Sequence, residues 1–318
     1  MASGWIDVHG HFNVIALRPP GYDPKGKWEF TTESSLEFMD RTGVAAQLLS
    51  NYGPQTTSAM IAANNHGAEL VAKHPERFGL LAQLPLAEPE NALAELRRGI
   101  DELDCEGFAI QSNYSGVYLG NPRFEPIWAE FDRRRATVFL HPTPLGYEDT
   151  RLGRPGALIE APFDTARTVV DMLYAGIFRR YQNFNLILAH GGGVLPTLAG
   201  RLETLGPWPL GWAENPQQVT STEMRETFAR LYYDTALAGT PHSLDPVLDV
   251  TTPDHVLYGA DFGAPCTYID VCQTHYDAVR NNQRMAPAER EAVGRNALRL
   301  FPKFAHRIAG AAARAAAE

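Results

Sequence analysis

Short apolar runs rich in β-branched and aromatic residues recur along the whole chain, and each is followed by a stretch with helical spacing. The runs are "WIDVHGHF", "VAAQLLSNY", "FGLLAQLPL", "GFAIQSNY", "TVFLHPT", "FNLILAHGGG", "LYYDTAL" and "HVLYGADFGAP". Between them, "TTESSLEFMDRTG" carries N-cap residues, an apolar stripe and a terminal glycine, the signals that open and close a helix. "EPENALAELRRGIDEL" puts Ala92, Leu93, Leu96 and Ile100 on one helical face, and "FDTARTVVDMLYAGIFRRY" does the same with Val169, Val170, Leu173 and Ile177. The tail "AGAAARAAAE" reads as a frayed or docked terminal helix.

Near-continuous apolar strands alternating with helices are the sequence form of a parallel sheet covered on both faces. Repeated eight times, the alternation predicts an α/β fold, a (β/α)8 TIM barrel in a single domain over residues 1–318. A doubly wound open sheet usually needs fewer strands, and its nucleotide-binding form wants G-x-G-x-x-G after the first strand. This chain has His9-Gly10-His11 there.

Polar residues gather where the strands end. His9 and His11 close the first, Gln111 and Asn113 the fourth, and His141 the fifth; His190, Asp234 and Asp261 follow on the sixth, seventh and eighth. In a barrel these ends share one rim, where active sites lie. Residues i and i+2 of a strand point the same way, so His9 and His11 project side by side. A divalent ion of borderline softness wants imidazoles plus a carboxylate and an open position, which His9, His11, His141 and Asp261 supply. Asp7 is expected to face away from them and to serve core hydrogen bonding. Asp234 is read as support for a ligand or as part of the rim structure. The remaining histidines, His66, His74, His242, His255, His275 and His306, fall on helices, in loops or at strand starts and carry no assignment.

Composition narrows the function. With 318 residues, 44% hydrophobic and 20% charged, the chain is an ordinary globular protein. A net charge of −9 disfavours nucleic acid and anionic membranes as partners. Three unpaired-looking cysteines, Cys105, Cys266 and Cys272, no C-x-x-C spacing, no secretory leader pattern and no long apolar span predict a cytoplasmic protein without disulfides.

"DVHGH" (7–11), "FLHP" (139–142), "LAHGGGVLP" (188–196) and "LYGADFGAP" (257–265), in that order, resemble the amidohydrolase superfamily. The resemblance is to its decarboxylase branch, typified by 2-amino-3-carboxymuconate-6-semialdehyde decarboxylase. "MDRTGV", "HPERFG", "NPRFEPIWAEF" and "PFDTAR" are similar to its short members, which include 6-methylsalicylate decarboxylase. The resemblance implies a metal bound by His9, His11, His141 and Asp261, zinc or manganese, with His190 beside it as an acid–base or substrate-orienting residue. It also implies one ion per chain, because "CEGFAIQSNY" lacks the lysine that bridges two ions in binuclear relatives.

Such a site supports non-oxidative decarboxylation of a hydroxybenzoate-like or related unsaturated acid, with His190 or Asp261 as proton donor. It also supports hydrolysis of an amide, ester or lactone by an activated water. The resemblance favours decarboxylation; a non-catalytic barrel would require lost ligands, and none is missing. Arg201, Arg18 and Asn113 are the candidates to bind a small carboxylic acid substrate, and Phe12, Tyr114, Phe262, Trp208 and Trp212 suit a flat ring. By resemblance Arg201 reaches a neighbouring subunit's site, which implies a homodimer or larger assembly.

Overall fold

The structure, a computed structural model, describes residues 4–12, 31–51, 56–143, 152–208, 218–263 and 268–315. Eight parallel strands follow one another around a nearly closed barrel: Trp5–His11, Val44–Ser50, Phe78–Gln83, Gly107–Gln111, Thr137–His141, Asn185–Leu188, Tyr232–Asp234 and Val256–Leu257. The chain just past the last strand closes on the first, where Gly10 bridges Phe262 and Val8 N–H donates to Tyr258 O at 3.0 Å. The expected α/β barrel is what the chain forms.

Local signals place several elements. The first helix, Thr32–Thr42, opens on a capping box, with Ser34 N–H and Thr31 N–H each 3.0 Å from the other residue's hydroxyl oxygen. It ends at Gly43, whose φ of 78° closes the last turn in a left-handed conformation. Helix Pro89–Asp101 buries Ala92 and Leu96 and half-buries Leu93 and Ile100, as its spacing predicts. The apolar stripe of Val169, Val170, Leu173 and Ile177 is divided: one helix, Glu160–Tyr174, stops before Gly176 (φ 74°), and a short second one covers Ile177–Arg180.

Inward-facing residues from the strands, among them Ile6, Leu48, Leu81, Ala109, Phe139, Ile187 and Leu257, fill the barrel. Phe304 and Ile308 of the terminal helix Pro302–Ala315 join this cluster and dock that helix on the barrel. A larger apolar layer lies between strands and helices, built on Phe38, Phe78, Trp128, Phe131 and Tyr233 among others. Among the described residues no helix is long and apolar enough to cross a membrane.

Candidate metal centre

His9 and His11 come from the end of the first strand, but not by regular alternation. The pairing with the second strand shifts register between Asp7 and Gly10. Strict alternation would put Asp7 beside His9; instead Asp7 bonds Gln47 Nε2 at 2.7 Å, and Gln47 Oε1 in turn accepts from Ser35 Oγ on the flanking helix at 2.7 Å. Asp7 is fully buried, and burial pushes its carboxyl up to about 6 against the bonds it accepts.

The two imidazoles are pinned on one side and converge on the other. His9 Nδ1 lies 2.6 Å from Asp234 Oδ2, and His11 Nδ1 lies 3.1 Å from Ser50 Oγ. Their Nε2 atoms are 3.1 Å apart, and each is 3.2 Å from Asp261 Oδ1. His141 is the last residue of its strand, and its ring centroid stands 4.8 Å from that of His11 and 5.3 Å from that of His9. Asp261 lies beyond the eighth strand, in a left-handed conformation (φ 60°), with its N–H on His9 O at 2.8 Å.

His190 reaches the same place by an unusual backbone. It and the three glycines after it all have positive φ (57°, 63°, 75° and 63°), a run that three of the four residues adopt at little cost because they lack a Cβ. His190 Nε2 is 3.6 Å from Asp261 Oδ2, and its ring is 5.0 Å from that of His9. One ligand atom from each of His9, His141, His190 and Asp261 lies within 4.8 Å of all the others. His11 touches this group through Nε2.

The electrostatics suit a cation. Burial lowers the pKa of His9, but the carboxylates of Asp234 and Asp261 outweigh it and carry it up to about 10. Without an ion, a proton on His9 is therefore what balances two buried carboxylates. Burial holds His11 below the ordinary histidine value, and burial with three neighbouring imidazoles holds His141 well below it. Asp261 stays far below the usual carboxylate range, since its histidine neighbours overcome the effect of burial. A divalent ion that displaced the His9 proton would meet His11 and His141 already held toward the neutral form beside an ionised Asp261, the donor set that such an ion takes. The residues present fit such an ion.

The other assigned residues fare differently. Asn113 lies past the fourth strand, in a hairpin of Asn113–Tyr114 with Val117–Tyr118. Its amide donates to Thr143 O (2.8 Å) and Asp164 Oδ2 (3.0 Å) and accepts from Gly116 N–H (3.0 Å). It is fully buried, and these bonds tie its side chain into the frame of the hairpin. Tyr114, also buried, bonds Leu84 O at 3.1 Å. Phe262 stacks on Phe38 with centroids 4.6 Å apart, and Phe12 is fully buried in the core, so all three rings are packing residues. Arg201 and Trp208 are exposed. Arg18 and Trp212 lie outside the described residues. Sequence reasoning overlooked Ser50, the polar end of the second strand, and Asp164, the buried acceptor of Asn113 and Tyr118.

A barrel with this histidine and aspartate group at its rim belongs to a large class of metal-dependent enzymes, and the comparisons narrow it. A family profile for amidohydrolases matches residues 6–303, and the chain belongs to that family. It is 34% identical to the decarboxylase macB of Penicillium terrestre, over 94% of this chain and 95% of that one. It is 32% identical to the 6-methylsalicylic acid decarboxylase acuB of Aspergillus aculeatus, over 94% and 96%. A solved dihydroxybenzoic acid decarboxylase from Polaromonas sp. JS666, which holds manganese and 2-nitroresorcinol, superposes with a TM-score of 0.79 at 24% identity over 94% and 97%.

Proposed function

We propose that this protein is a metal-dependent, non-oxidative decarboxylase of a hydroxybenzoate-type acid. The observation that carries the reading is the grouping of His9, His141, His190 and Asp261, which His11 joins through its Nε2, with His9 and His11 pinned at Nδ1, in a chain whose full-length relatives are decarboxylases. These four residues would hold one ion, zinc or manganese, in a cytoplasmic homodimer or larger assembly. When bound, the ion would supply Lewis-acid binding of the substrate carboxylate and the adjacent phenolic oxygen.

The protein's own residues then do the rest. His190, close to Asp261 but less buried, is placed to give a proton to the ring carbon that bears the carboxylate. The bond from that carbon to the carboxylate breaks, carbon dioxide leaves, and the new carbon–hydrogen bond takes its place. Asp261, held as a carboxylate, keeps His190 oriented, and His190, partly open to solvent, takes a new proton from water after carbon dioxide leaves.

Purified protein, loaded with zinc or manganese, tests this against 6-methylsalicylate, 2,6-dihydroxybenzoate and related acids, with carbon dioxide release as the readout. Release that chelation abolishes and metal restores supports the proposal. No release from any acid, together with turnover of an ester or lactone panel, would reassign the same residues to hydrolysis. His141→Ala should lower the metal content; unchanged content would place the ion elsewhere.

A further inference from the structure

One oxygen of Asp7 is tied to both strand ends that carry the metal group. Asp7 Oδ1 accepts the N–H of His9 at 2.9 Å and the N–H of Ala260, the residue before Asp261, at 2.9 Å. These bonds lie in the seam where the barrel closes. There Val8 N–H donates to Tyr258 O at 3.0 Å and Asp261 N–H to His9 O at 2.8 Å, but the Ala260 donor between them goes to the side chain of Asp7. The other oxygen, Oδ2, is anchored by Gln47, and Gln47 by Ser35; all three side chains are fully buried. Gly10 makes the approach of Gln47 possible, since a Cβ there would sit 2.3 Å from Gln47 Cδ.

We propose that Asp7 is a positioning residue of the metal centre, a clasp whose Oδ1 fixes the spacing between His9 and Asp261. This rests on the metal reading above. The clasp works through the acceptor geometry of Oδ1 rather than through the charge of the carboxylate. The substitution Asp7→Asn would keep that oxygen for both backbone donors. The new amide nitrogen would face a Gln47 amide turned over to present Oε1, with Ser35 Oγ then accepting from Nε2. Alanine would leave two backbone N–H groups and the Gln47 amide buried without an acceptor.

The test is the zinc dissociation constant, measured by competition with a chromogenic chelator, beside thermal melts of the metal-free proteins. Asp7→Ala should weaken zinc by about 10- to 100-fold, the range for residues that orient metal ligands, while Asp7→Asn stays within about threefold of wild type. Rescue by the asparagine separates a geometric clasp from a charge effect. A folded Asp7→Ala protein with wild-type zinc affinity overturns the proposal, and so does an Asp7→Asn protein as weak as the alanine variant. If Asp7→Ala does not fold, Gln47→Met decides: it removes the anchor of Oδ2 and should weaken zinc at least about threefold, and no change refutes the clasp. Wild-type protein with no measurable affinity for zinc or manganese would overturn the metal reading itself, and the clasp with it.

Discussion

Asp234 locks the orientation of His9: its Oδ2 stands 2.6 Å from His9 Nδ1, with both side chains fully buried. Its other oxygen accepts the N–H of His190 at 2.8 Å and that of Ala236 at 2.9 Å. One carboxylate at the end of the seventh strand thus keeps the Nε2 lone pair of His9 turned toward the metal group and sets the height of the His190 turn. An asparagine has one acceptor oxygen where Asp234 uses two. Asp234→Asn should therefore weaken metal binding by about 10- to 100-fold and lower kcat as well. Chelator competition and carbon dioxide assays measure the two effects, and a variant with unchanged metal affinity would show that the pair is only structural.

His190 differs from His9 and His11 by reaching the rim on a left-handed turn and by staying partly open to solvent. As a proton donor rather than a ligand, it should be separable from the ion. His190→Asn is expected to keep the metal and lose kcat by about 100-fold or more. Elemental analysis of the purified variant checks this, and loss of metal together with activity would make His190 a ligand.

The barrel was legible because parallel strands buried on both faces read as unbroken apolar runs, and because the metal-competent residue types stand at their ends. What the sequence hid depends on pairing between distant segments. Asn113 looks like one more polar residue at a strand end, yet its amide is consumed by Thr143 and Asp164, thirty or more residues away in the chain. Core hydrogen bonding is the expected task of Asp7, but its partner Gln47 is set by a register shift between the first two strands that no alternation rule anticipates. Ser50 and Asp234 become the partners of the His-x-His pair only once the strands are laid in register.

His275, unassigned in the sequence, proves to be buried on helix Ile269–Arg280, with Nε2 3.2 Å from Thr235 Oγ1 and its ring stacked on Tyr258. Burial lowers its pKa from 6.5 to about 4. The unfolded chain therefore takes up a proton before the folded protein does. The stability that follows is fully present above pH 6.5, drains away as pH falls toward 4, and amounts to about 3 kcal/mol. Denaturant unfolding of metal-free protein across this range should show that loss, and His275→Gln should flatten it. An unchanged slope in the variant would mean that His275 titrates alike in both states.

Arg201 is exposed on helix Leu195–Leu205, whereas His9, His11 and Asp261 are buried, and we propose that it meets a substrate carboxylate across a subunit interface. Loss of a hydrogen bond to a charged group costs about 1.5–3 kcal/mol. Arg201→Ala should accordingly lower kcat/KM roughly ten- to a hundredfold, through KM as well as kcat, and leave the metal content unchanged. Contact across an interface makes a stricter demand. His190→Asn chains and Arg201→Ala chains, each impaired alone, should gain activity above the sum of the two when mixed under conditions that exchange subunits, because one site in each mixed dimer then has both residues. Exchange without recovery would confine Arg201 to its own subunit or remove it from the reaction. An active monomer at working concentration, measured by sedimentation, would exclude the shared site altogether.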